Sequence, residues 1–191
     1  MNSAKTELRQ CQKSRFRSLT LAEQERQQIL LCQNLSTLWD SQARPWVLGF
    51  VSLPGEPNLQ DFWVEVLQRG RLAFPRVQGD ELGFYEVTQW SQLQEVPPWG
   101  IREPVQGTWP WPFRDASQSL ILIPGLAFDL QGGRLGRGKG FYDRFLSSLS
   151  SQVLLWGVGW QESLVDEVPL EGHDKRLHGW VGPGGLSPLA L

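Results

Sequence analysis

A glycine-rich and cation-rich loop, set between an apolar run and an amphipathic segment, constrains the fold of this 191-residue chain more than any other feature. The apolar run 120–123 is stopped by Pro124-Gly125, which is typical of a buried strand. Beyond the loop, apolar residues recur with a helical period from Phe141 to Leu149. The stretch therefore predicts a strand, a glycine loop and the start of a helix.

The loop itself combines five glycines with three cationic side chains. They are Gly132, Gly133, Gly136, Gly138, Gly140, Arg134, Arg137 and Lys139. Glycine lets backbone N–H groups approach an anion closely, and the N–H groups at a helix N-terminus favour negative charge. Guanidinium and ammonium groups are also the side chains that bind phosphate best. The combination favours a nucleoside triphosphate as ligand.

Part of the loop matches the P-loop pattern G-x-x-x-x-G-K, from Gly133 to Lys139. The next P-loop position carries a Ser or Thr whose hydroxyl holds magnesium, and here it is Gly140. Asp143, about one helical turn further on, could supply an oxygen ligand instead. A P-loop-like phosphotransferase and a plain turn with solvated basic side chains both stay open, although the density of glycines and cations argues against the plain turn.

The rest of the chain alternates between helical and strand patterns, which predicts an α/β fold with a mainly parallel sheet between helical layers. Helices are expected over 3–19, with Leu8, Cys11 and Leu19 inward, and from the Thr20 capping box to about residue 39, with Ile29, Leu30, Leu35 and Leu38 inward. Further helices are expected over 59–69 and 161–167. Strands are expected over 45–53, 71–74, 82–87 and 153–159. The proline- and tryptophan-rich stretch 97–113 is expected to be an ordered loop.

The run P-G-L-A-F-D-x-x-G-x-R-L-G-R-G-K-G-F-Y-D at 124–143 resembles the signature of the 5-formyltetrahydrofolate cyclo-ligase family, also called methenyltetrahydrofolate synthetase. The similarity extends from about Ala4 to Val181, with the matching pieces in order. It implies a single domain over residues 1–191, and the C-terminal sequence is expected to form a last short strand followed by a frayed tail from about residue 182. The implied fold is a three-layer Rossmann-like sandwich with a mixed, mainly parallel sheet, like that of the NagB, RpiA and CoA-transferase proteins.

The resemblance also implies a reaction. Members of the family convert 5-formyltetrahydrofolate to 5,10-methenyltetrahydrofolate with ATP and Mg²⁺, releasing ADP and phosphate through a phosphorylated formyl intermediate of iminium type. The substrate can carry a polyglutamate tail. A non-catalytic folate- or nucleotide-binding protein of the same fold is an alternative, and it would bind folate tightly without turnover.

Site residues follow from the resemblance position by position. Arg137 and Lys139 are implied as catalytic residues. The implied ATP-binding residues are Lys5, Arg9, Arg134, Leu135, Gly136, Arg137, Gly138, Lys139, Gly140, Phe141 and Tyr142. The implied folate-binding residues are Val51, Glu56, Arg137, Gly138, Lys139, Gly140 and Phe141. Asp143 and Asp174 are implied as magnesium ligands.

Several of these residues have a plainer interpretation from the sequence alone. Lys5 and Arg9 also fit a solvated basic stripe on a helix, Glu56 a turn residue, and Asp174 a solvated turn. Tyr142 could stack on a ring or pack the helix, and packing is favoured. An aromatic or apolar residue of the strand 82–87 is implied beside the pterin, but Phe84 and Tyr85 point to opposite faces and the sequence does not choose between them.

Composition limits the partners. The net charge of −2 and the pI near 5.7 give no general attraction for nucleic acid or an anionic membrane, so neither is expected as a partner. No apolar run reaches transmembrane length, and the N-terminus lacks the apolar core of a signal peptide. Cys11 and Cys32 form no disulfide framework. A cytoplasmic monomer is expected.

Overall fold

The computed structural model describes residues 3–42, 46–97, 100–105, 108, 110–112, 119–149, 153–172 and 174–189. Within them the helices are α1 (Ser3–Ser18), α2 (Leu21–Gln42), α3 (Gln60–Arg69) and α4 (Phe141–Ser147). The strands are β1 (Trp46–Leu48), β2 (Arg71–Gln78), β3 (Glu81–Val87), β4 (Leu93–Val96), β5 (Ile101–Pro104), β6 (Ser119–Pro124), β7 (Ala127–Phe128), β8 (Arg134–Leu135), β9 (Leu154–Val158), β10 (Gly179–Gly182) and β11 (Gly185–Pro188). None of these helices is long and apolar enough to cross a membrane.

Seven strands form the main sheet, in the order β11-β10-β9-β6-β1-β2-β3. The five inner strands run parallel, and β3 and β11 close the two edges in antiparallel fashion. The predicted α/β fold with a mainly parallel, mixed sheet is therefore confirmed. Two small antiparallel hairpins, β4-β5 and β7-β8, lie outside the main sheet.

Helices cover both faces of the sheet because alternate side chains of the central strands point in opposite directions. Leu120 and Leu122 of β6 pack with α2 and α3, whereas Ile121 and Ile123 pack with Phe145 of α4. A strand that is buried on both faces is apolar along most of its length. The uninterrupted apolar run of the sequence has this physical cause.

Residues 183–189, the described part of the tail beyond residue 182, are not frayed, contrary to the prediction. Residues 185–188 form β11, which pairs with β10 in the register Val181 opposite Leu186. The chain reverses through Pro183 and Gly184, and Gly185 has a φ of 125°, which glycine adopts without strain. Pairing with β11 satisfies the backbone groups that β10 would otherwise expose at the sheet edge.

The two N-terminal helices begin and end nearly as predicted, but their buried faces differ from the prediction. Ile29 is 57% exposed and Leu30 is 37% exposed, whereas Leu31 is fully buried. In α1, Cys11 is exposed, and Gln12 faces the interior instead. The polar residue Gln27 is buried in α2 because its amide contacts both Glu162 and the backbone N–H of Gln161.

Two strands end elsewhere than predicted. Strand β1 stops at Leu48, and the residues that follow leave the sheet after the N–H of Gly49 donates to the carbonyl of Ala73. Strand β2 continues to Gln78 because all of it except Arg71 pairs with β3. The helix expected over 161–167 is reduced to one 3-10 turn over Gln161–Ser163.

The proline- and tryptophan-rich stretch is only partly irregular. Strands β4 and β5 form a hairpin, so Ile101–Pro104 is regular structure where a loop was expected. The hairpin is fixed to the main sheet by Arg76, which donates to the carbonyls of Pro104 and Val105 at 3.3 and 3.0 Å. Residues 98, 99, 106, 107, 109 and 113 of this stretch lie outside the described residues.

Candidate functional site

A cavity of about 370 Å³ opens where the chain leaves the carboxyl ends of β1 and β6. Ligands bind at this edge in open α/β sheets, because the loops that follow parallel strands meet there. The lining residues are Phe50, Val51, Leu53, Glu56, Pro75, Val77, Leu82, Ile101, Arg102, Glu103, Pro124, Gly125, Arg134, Gly136, Arg137, Gly138, Lys139, Gly140, Phe141, Tyr142 and Asp143. The glycine loop forms one wall of this cavity, and the β4-β5 hairpin contributes to another.

The loop takes the predicted order of strand, glycine loop and helix, with the small hairpin β7-β8 inserted. Gly138 and Gly140 have φ values of 99° and 71°, in the region that favours glycine. Gly140 is the N-cap of α4. A Ser or Thr at this position, as a P-loop requires, would have to adopt that left-handed conformation. The backbone therefore argues against the P-loop interpretation.

Asp129 fixes the start of the loop. Its Oδ1 accepts hydrogen bonds from the N–H groups of Gly133 and Gln131 at 2.7 and 2.9 Å, and its Oδ2 accepts one from Val168 at 2.8 Å. The carboxylate is buried, and a Cβ at position 133 would lie 2.4 Å from it. Asp129 was not predicted from the sequence as a residue that holds the loop. The available signal was an aspartate followed by a glycine pair, which is typical of an Asx-turn.

Phe128, beside Asp129, packs directly against the backbone of three glycines. A Cβ at Gly125, Gly157 or Gly159 would lie 2.6, 2.5 or 3.1 Å from its ring. Gly125 follows β6, Gly157 lies in β9 and Gly159 follows β9. Because these three residues have no side chain, the buried ring of Phe128 fits beneath the loop.

Arg137 and Glu56 join the loop to the segment that follows β1. The Nε of Arg137 donates to Oε1 of Glu56 at 2.8 Å, and its Nη2 donates to the carbonyl of Pro54 at 3.3 Å. The other oxygen of Glu56 accepts a hydrogen bond from the N–H of Leu53 at 2.9 Å. Burial raises the pKa of the Glu56 carboxyl, and the charge of Arg137 partly offsets that rise.

Arg134 occupies the opposite side of the loop and is almost fully buried, with 6% of its side chain exposed. It donates to Asp143 at 2.5 Å and to the carbonyl of Pro124 at 3.2 Å. Its guanidinium also lies 5.6 Å from the centre of the Tyr142 ring. Tyr142 lines the cavity and packs on the core under α4, and burial raises the pKa of its phenol.

Helix α1 contacts the loop region from outside the cavity. Lys5 pairs with Asp174 at 2.8 Å and with Glu171 at 3.5 Å. The Nε of Arg9 donates to the carbonyl of Gly136 at 3.0 Å. The structure thus brings the predicted residues Lys5 and Arg9 to the predicted segments, but neither of them nor Asp174 lines the cavity.

One predicted ATP-binding residue has a different environment. Leu135 belongs to β8 and is 2% exposed, packed with Ala127 and Val168. Its side chain faces the core beneath the loop, and Leu135 does not line the cavity. The remaining loop residues of the prediction line the cavity, together with Val51 and Glu56.

The two aspartates predicted to hold magnesium are in separate surroundings. Asp143 lines the cavity beside Arg134, whereas Asp174 contacts Lys5 and the N–H of Glu171. In the described part of the chain, no group of three or more His, Cys, Asp or Glu residues gathers to hold a metal. Mg²⁺ commonly takes only one or two carboxylates and completes its shell with water and substrate phosphates. Asp143 fits that requirement.

The wall formed by β2, β3 and β5 was not identified from the sequence. It contributes Pro75, Val77, Leu82 and Ile101, with Arg102 and Glu103 beside them. Neither Phe84 nor Tyr85 lines the cavity. Phe84 packs on Phe145 with ring centres 4.7 Å apart, and Tyr85 lies under the guanidinium of Arg76 at 3.7 Å. Leu82 is the residue of this strand that lines the cavity. It shares a face of β3 with Phe84, whereas Tyr85 points to the other face.

The fold and this site define an α/β protein with a glycine-lined cavity, bearing cationic side chains, at the carboxyl edge of a parallel sheet. Comparison with known families is more specific, because the family model of the 5-formyltetrahydrofolate cyclo-ligases matches residues 1–182. The chain belongs to the 5-formyltetrahydrofolate cyclo-ligase family. The resemblance noted in the sequence is thereby confirmed.

Individual relatives agree with that assignment. The 5-formyltetrahydrofolate cyclo-ligase of Mus musculus is 29% identical over 93% of this chain and 92% of its own length. That of Mycolicibacterium smegmatis is 33% identical over 69% of this chain and 70% of its own length. The solved structure of Aquifex aeolicus 5,10-methenyltetrahydrofolate synthetase superposes with a TM-score of 0.85 at 31% identity, covering 98% of this chain and 93% of that one.

Proposed function

We propose that this protein converts 5-formyltetrahydrofolate to 5,10-methenyltetrahydrofolate, coupled to conversion of ATP to ADP and phosphate. Family membership supports the reaction class. The single observation that carries the proposal is the ion pair between Arg137 and Glu56, which joins the phosphate-binding loop to the segment proposed to bind folate within one cavity. The two reacting molecules would therefore meet at this junction.

The chemistry explains the need for ATP. The formyl oxygen is a poor leaving group, so water cannot be lost directly when nitrogen 10 attacks the formyl carbon. We propose that the formyl oxygen first attacks the γ-phosphorus of ATP, which releases ADP and leaves an iminium phosphate. Nitrogen 10 then attacks the formyl carbon, its proton is lost, and phosphate departs with the former formyl oxygen.

Phosphoryl transfer depends mainly on positioning and on cations around the equatorial oxygens. We assign Arg137 and Lys139 to the transferring phosphoryl group and the formyl oxygen. The backbone N–H groups of Gly136, Gly138 and Gly140 would hold phosphate oxygens. Support comes from the cavity, which all five residues line.

The remainder of ATP is assigned to Lys5, Arg9 and Arg134, together with Leu135 through its backbone, Phe141 and Tyr142. Arg134 lines the cavity and is paired there with Asp143. Lys5 and Arg9 contact Asp174 and Gly136 in the described structure, so ATP would require them to extend toward the cavity or to act through the loop. The assignment of Lys5 and Arg9 to ATP therefore requires a change in their contacts.

We assign the pterin end of folate to Glu56 and Val51, with contributions from Gly138, Gly140 and Phe141 of the loop. A carboxylate on a cavity wall is a suitable acceptor for the amino and ring N–H groups of a pterin. Glu56 is 7% exposed and reaches the cavity from the segment after β1. Binding of phosphate to Arg137 would release Glu56 to accept hydrogen bonds from the pterin.

Magnesium is proposed as the metal cofactor, held by Asp143 and Asp174 directly or through water. When bound, it would neutralise charge on the ATP phosphates. Each of the two carboxylates is paired with a cation proposed to bind ATP, namely Arg134 or Lys5. If these ion pairs opened on ATP binding, each cation would contact phosphate and each carboxylate would be available to the metal.

The protein is further proposed to act as a cytoplasmic monomer on free folates, with or without a polyglutamate tail, and without nucleic acid or membrane partners. The two cysteines are unpaired thiols, which is consistent with a reducing compartment. Light scattering at several protein concentrations would test the monomer, since a mass that rises with concentration contradicts it.

The activity is tested by mixing purified protein with 5-formyltetrahydrofolate, ATP and Mg²⁺ and following the near-ultraviolet absorbance of the conjugated methenyl product. Each component is omitted in turn. A rise that requires all of them supports the proposal. Folate binding without any rise would instead favour a non-catalytic binding protein, which is the second candidate from the sequence.

A further inference from the structure

The cavity carries one cation whose role is unassigned. Arg102 lies on β5, lines the cavity, and has an exposed side chain. Arg134 and Arg137, which line the same cavity, are each paired with a carboxylate. Among the described residues, the Arg102 side chain has neither an ion pair nor a hydrogen bond, although Glu95 stands opposite it in the β4-β5 ladder.

The wall beside Arg102 is apolar. Pro75 and Val77 of β2, Leu82 of β3 and Ile101 of β5 face the cavity here. The neighbouring acid, Glu103, is buried, and its Oε2 accepts a hydrogen bond from the N–H of Val77 at 3.3 Å. Burial also raises the pKa of the Glu103 carboxyl.

The cavity lining therefore combines three kinds of surface. It has a buried acceptor in Glu56, an apolar wall around Val77 and Leu82, and an exposed guanidinium in Arg102. A folate carries a group suited to each of them: a pterin rich in N–H donors, an apolar benzoyl ring, and a glutamate with two carboxylates. Guanidinium is the side-chain group best suited to bind carboxylates in bidentate geometry.

We propose that Arg102 binds the glutamate carboxylates of the folate substrate and so selects substrates that carry the anionic tail. This inference rests on the proposed function. Arg102 contributes to substrate binding but not to phosphoryl transfer. An exposed ion pair is also screened by salt, so the contribution of Arg102 falls as ionic strength rises.

The test compares 5-formyltetrahydrofolate with 5-formyltetrahydropteroate, which lacks the glutamate. Arg102→Ala is expected to raise KM for 5-formyltetrahydrofolate about fivefold, the upper range for an exposed ion pair, with kcat unchanged. KM for the tail-less substrate should stay at the wild-type value. Arg102→Lys should recover part of the loss, and added salt should raise KM for the glutamate substrate in wild type but not in Arg102→Ala.

Arg26→Ala serves as the matched control, because Arg26 is an exposed arginine on α2 that does not line the cavity. Melting temperatures check that each variant is folded. Equal changes in KM for both substrates, or no change for either, would overturn the role of Arg102. Absence of turnover by wild type with both substrates would instead reject the proposed function, so the two failures are distinguishable.

Discussion

The Nε of Arg137 lies 2.8 Å from Oε1 of Glu56, across 81 residues of sequence. Arg137 belongs to the glycine loop, which follows β6 in the chain, and Glu56 belongs to the segment after β1. Since β1 and β6 are neighbouring parallel strands, the ion pair links the two segments that leave their carboxyl ends. Glu56 is buried while about a third of the Arg137 side chain is exposed. An incoming phosphate can therefore reach the guanidinium before it reaches the carboxylate.

Arg137→Ala is expected to lower kcat by about 10³ or more, by analogy with cations that stabilise phosphoryl-transfer transition states. The rate is measured as methenyl product formation at saturating ATP and folate. Arg26→Ala, an exposed arginine on α2, controls for loss of a positive charge elsewhere. A loss under tenfold would remove Arg137 from the catalytic step.

Glu56→Gln is expected to raise KM for folate about tenfold at neutral pH, the worth of one hydrogen bond to a charged group. In wild type, protonation of Glu56 has the same effect. KM should therefore rise as pH falls, starting above the ordinary carboxyl pKa of 4.5 because burial raises the pKa of Glu56. In Glu56→Gln this pH dependence of KM should disappear, and its persistence would show that another group causes it.

Glu56→Gln is also expected to change how the free energy of unfolding depends on pH. A raised pKa in the folded state means that folding favours protonated Glu56, so its stabilising contribution is complete below pH 4.5 and is lost as pH rises through the raised pKa. Glu56→Gln removes this dependence. The free energy of unfolding of the variant, relative to wild type, should increase from acidic to neutral pH in urea titrations, and a decrease would contradict the assignment.

Asp129→Asn is expected to destabilise the protein by about 1–3 kcal/mol, because the amide nitrogen cannot accept and at least one of the three N–H donors loses its acceptor. Urea unfolding measures this loss. Asp80→Asn is the control, since the Asp80 side chain is exposed at the β2-β3 turn. Stability equal to that of the control would mean that Asp129 does not hold the loop.

Gly157→Ala is expected to cost about 1–3 kcal/mol through overpacking. The added methyl group would lie 2.5 Å from the Phe128 ring and 2.9 Å from Leu177, both buried. Gly172→Ala is the matched control, because a Cβ there meets no heavy atom within 4 Å. Thermal melting of both variants checks the difference, and equal melting temperatures would contradict tight packing beneath the loop.

Much of the fold and part of the site follow from local sequence patterns. Consecutive stretches of sequence determine the apolar run of β6, the glycine loop and the start of α4, so their order could be predicted. The Thr20 capping box is likewise local, and the structure contains its reciprocal contacts with Glu23. These features need no knowledge of distant neighbours.

The errors arise where distant contacts decide. Which face of α2 is buried depends on the sheet beneath it, so Ile29 could not be distinguished from Leu31 by periodicity alone. The expected helix after β9 gives way to hydrogen bonds from Val165 to Phe128 and from Val168 to Asp129. Arg102 enters the site because the β4-β5 hairpin folds against β2, a contact with no local signature.

The most direct test of the proposed reaction follows the formyl oxygen. 5-Formyltetrahydrofolate labelled with heavy oxygen in the formyl group is turned over with unlabelled ATP and Mg²⁺, and the inorganic phosphate is analysed by mass spectrometry. If the formyl oxygen attacks the γ-phosphorus and leaves with phosphate, each phosphate released carries one heavy oxygen. Unlabelled phosphate accompanying methenyl product would contradict this chemistry.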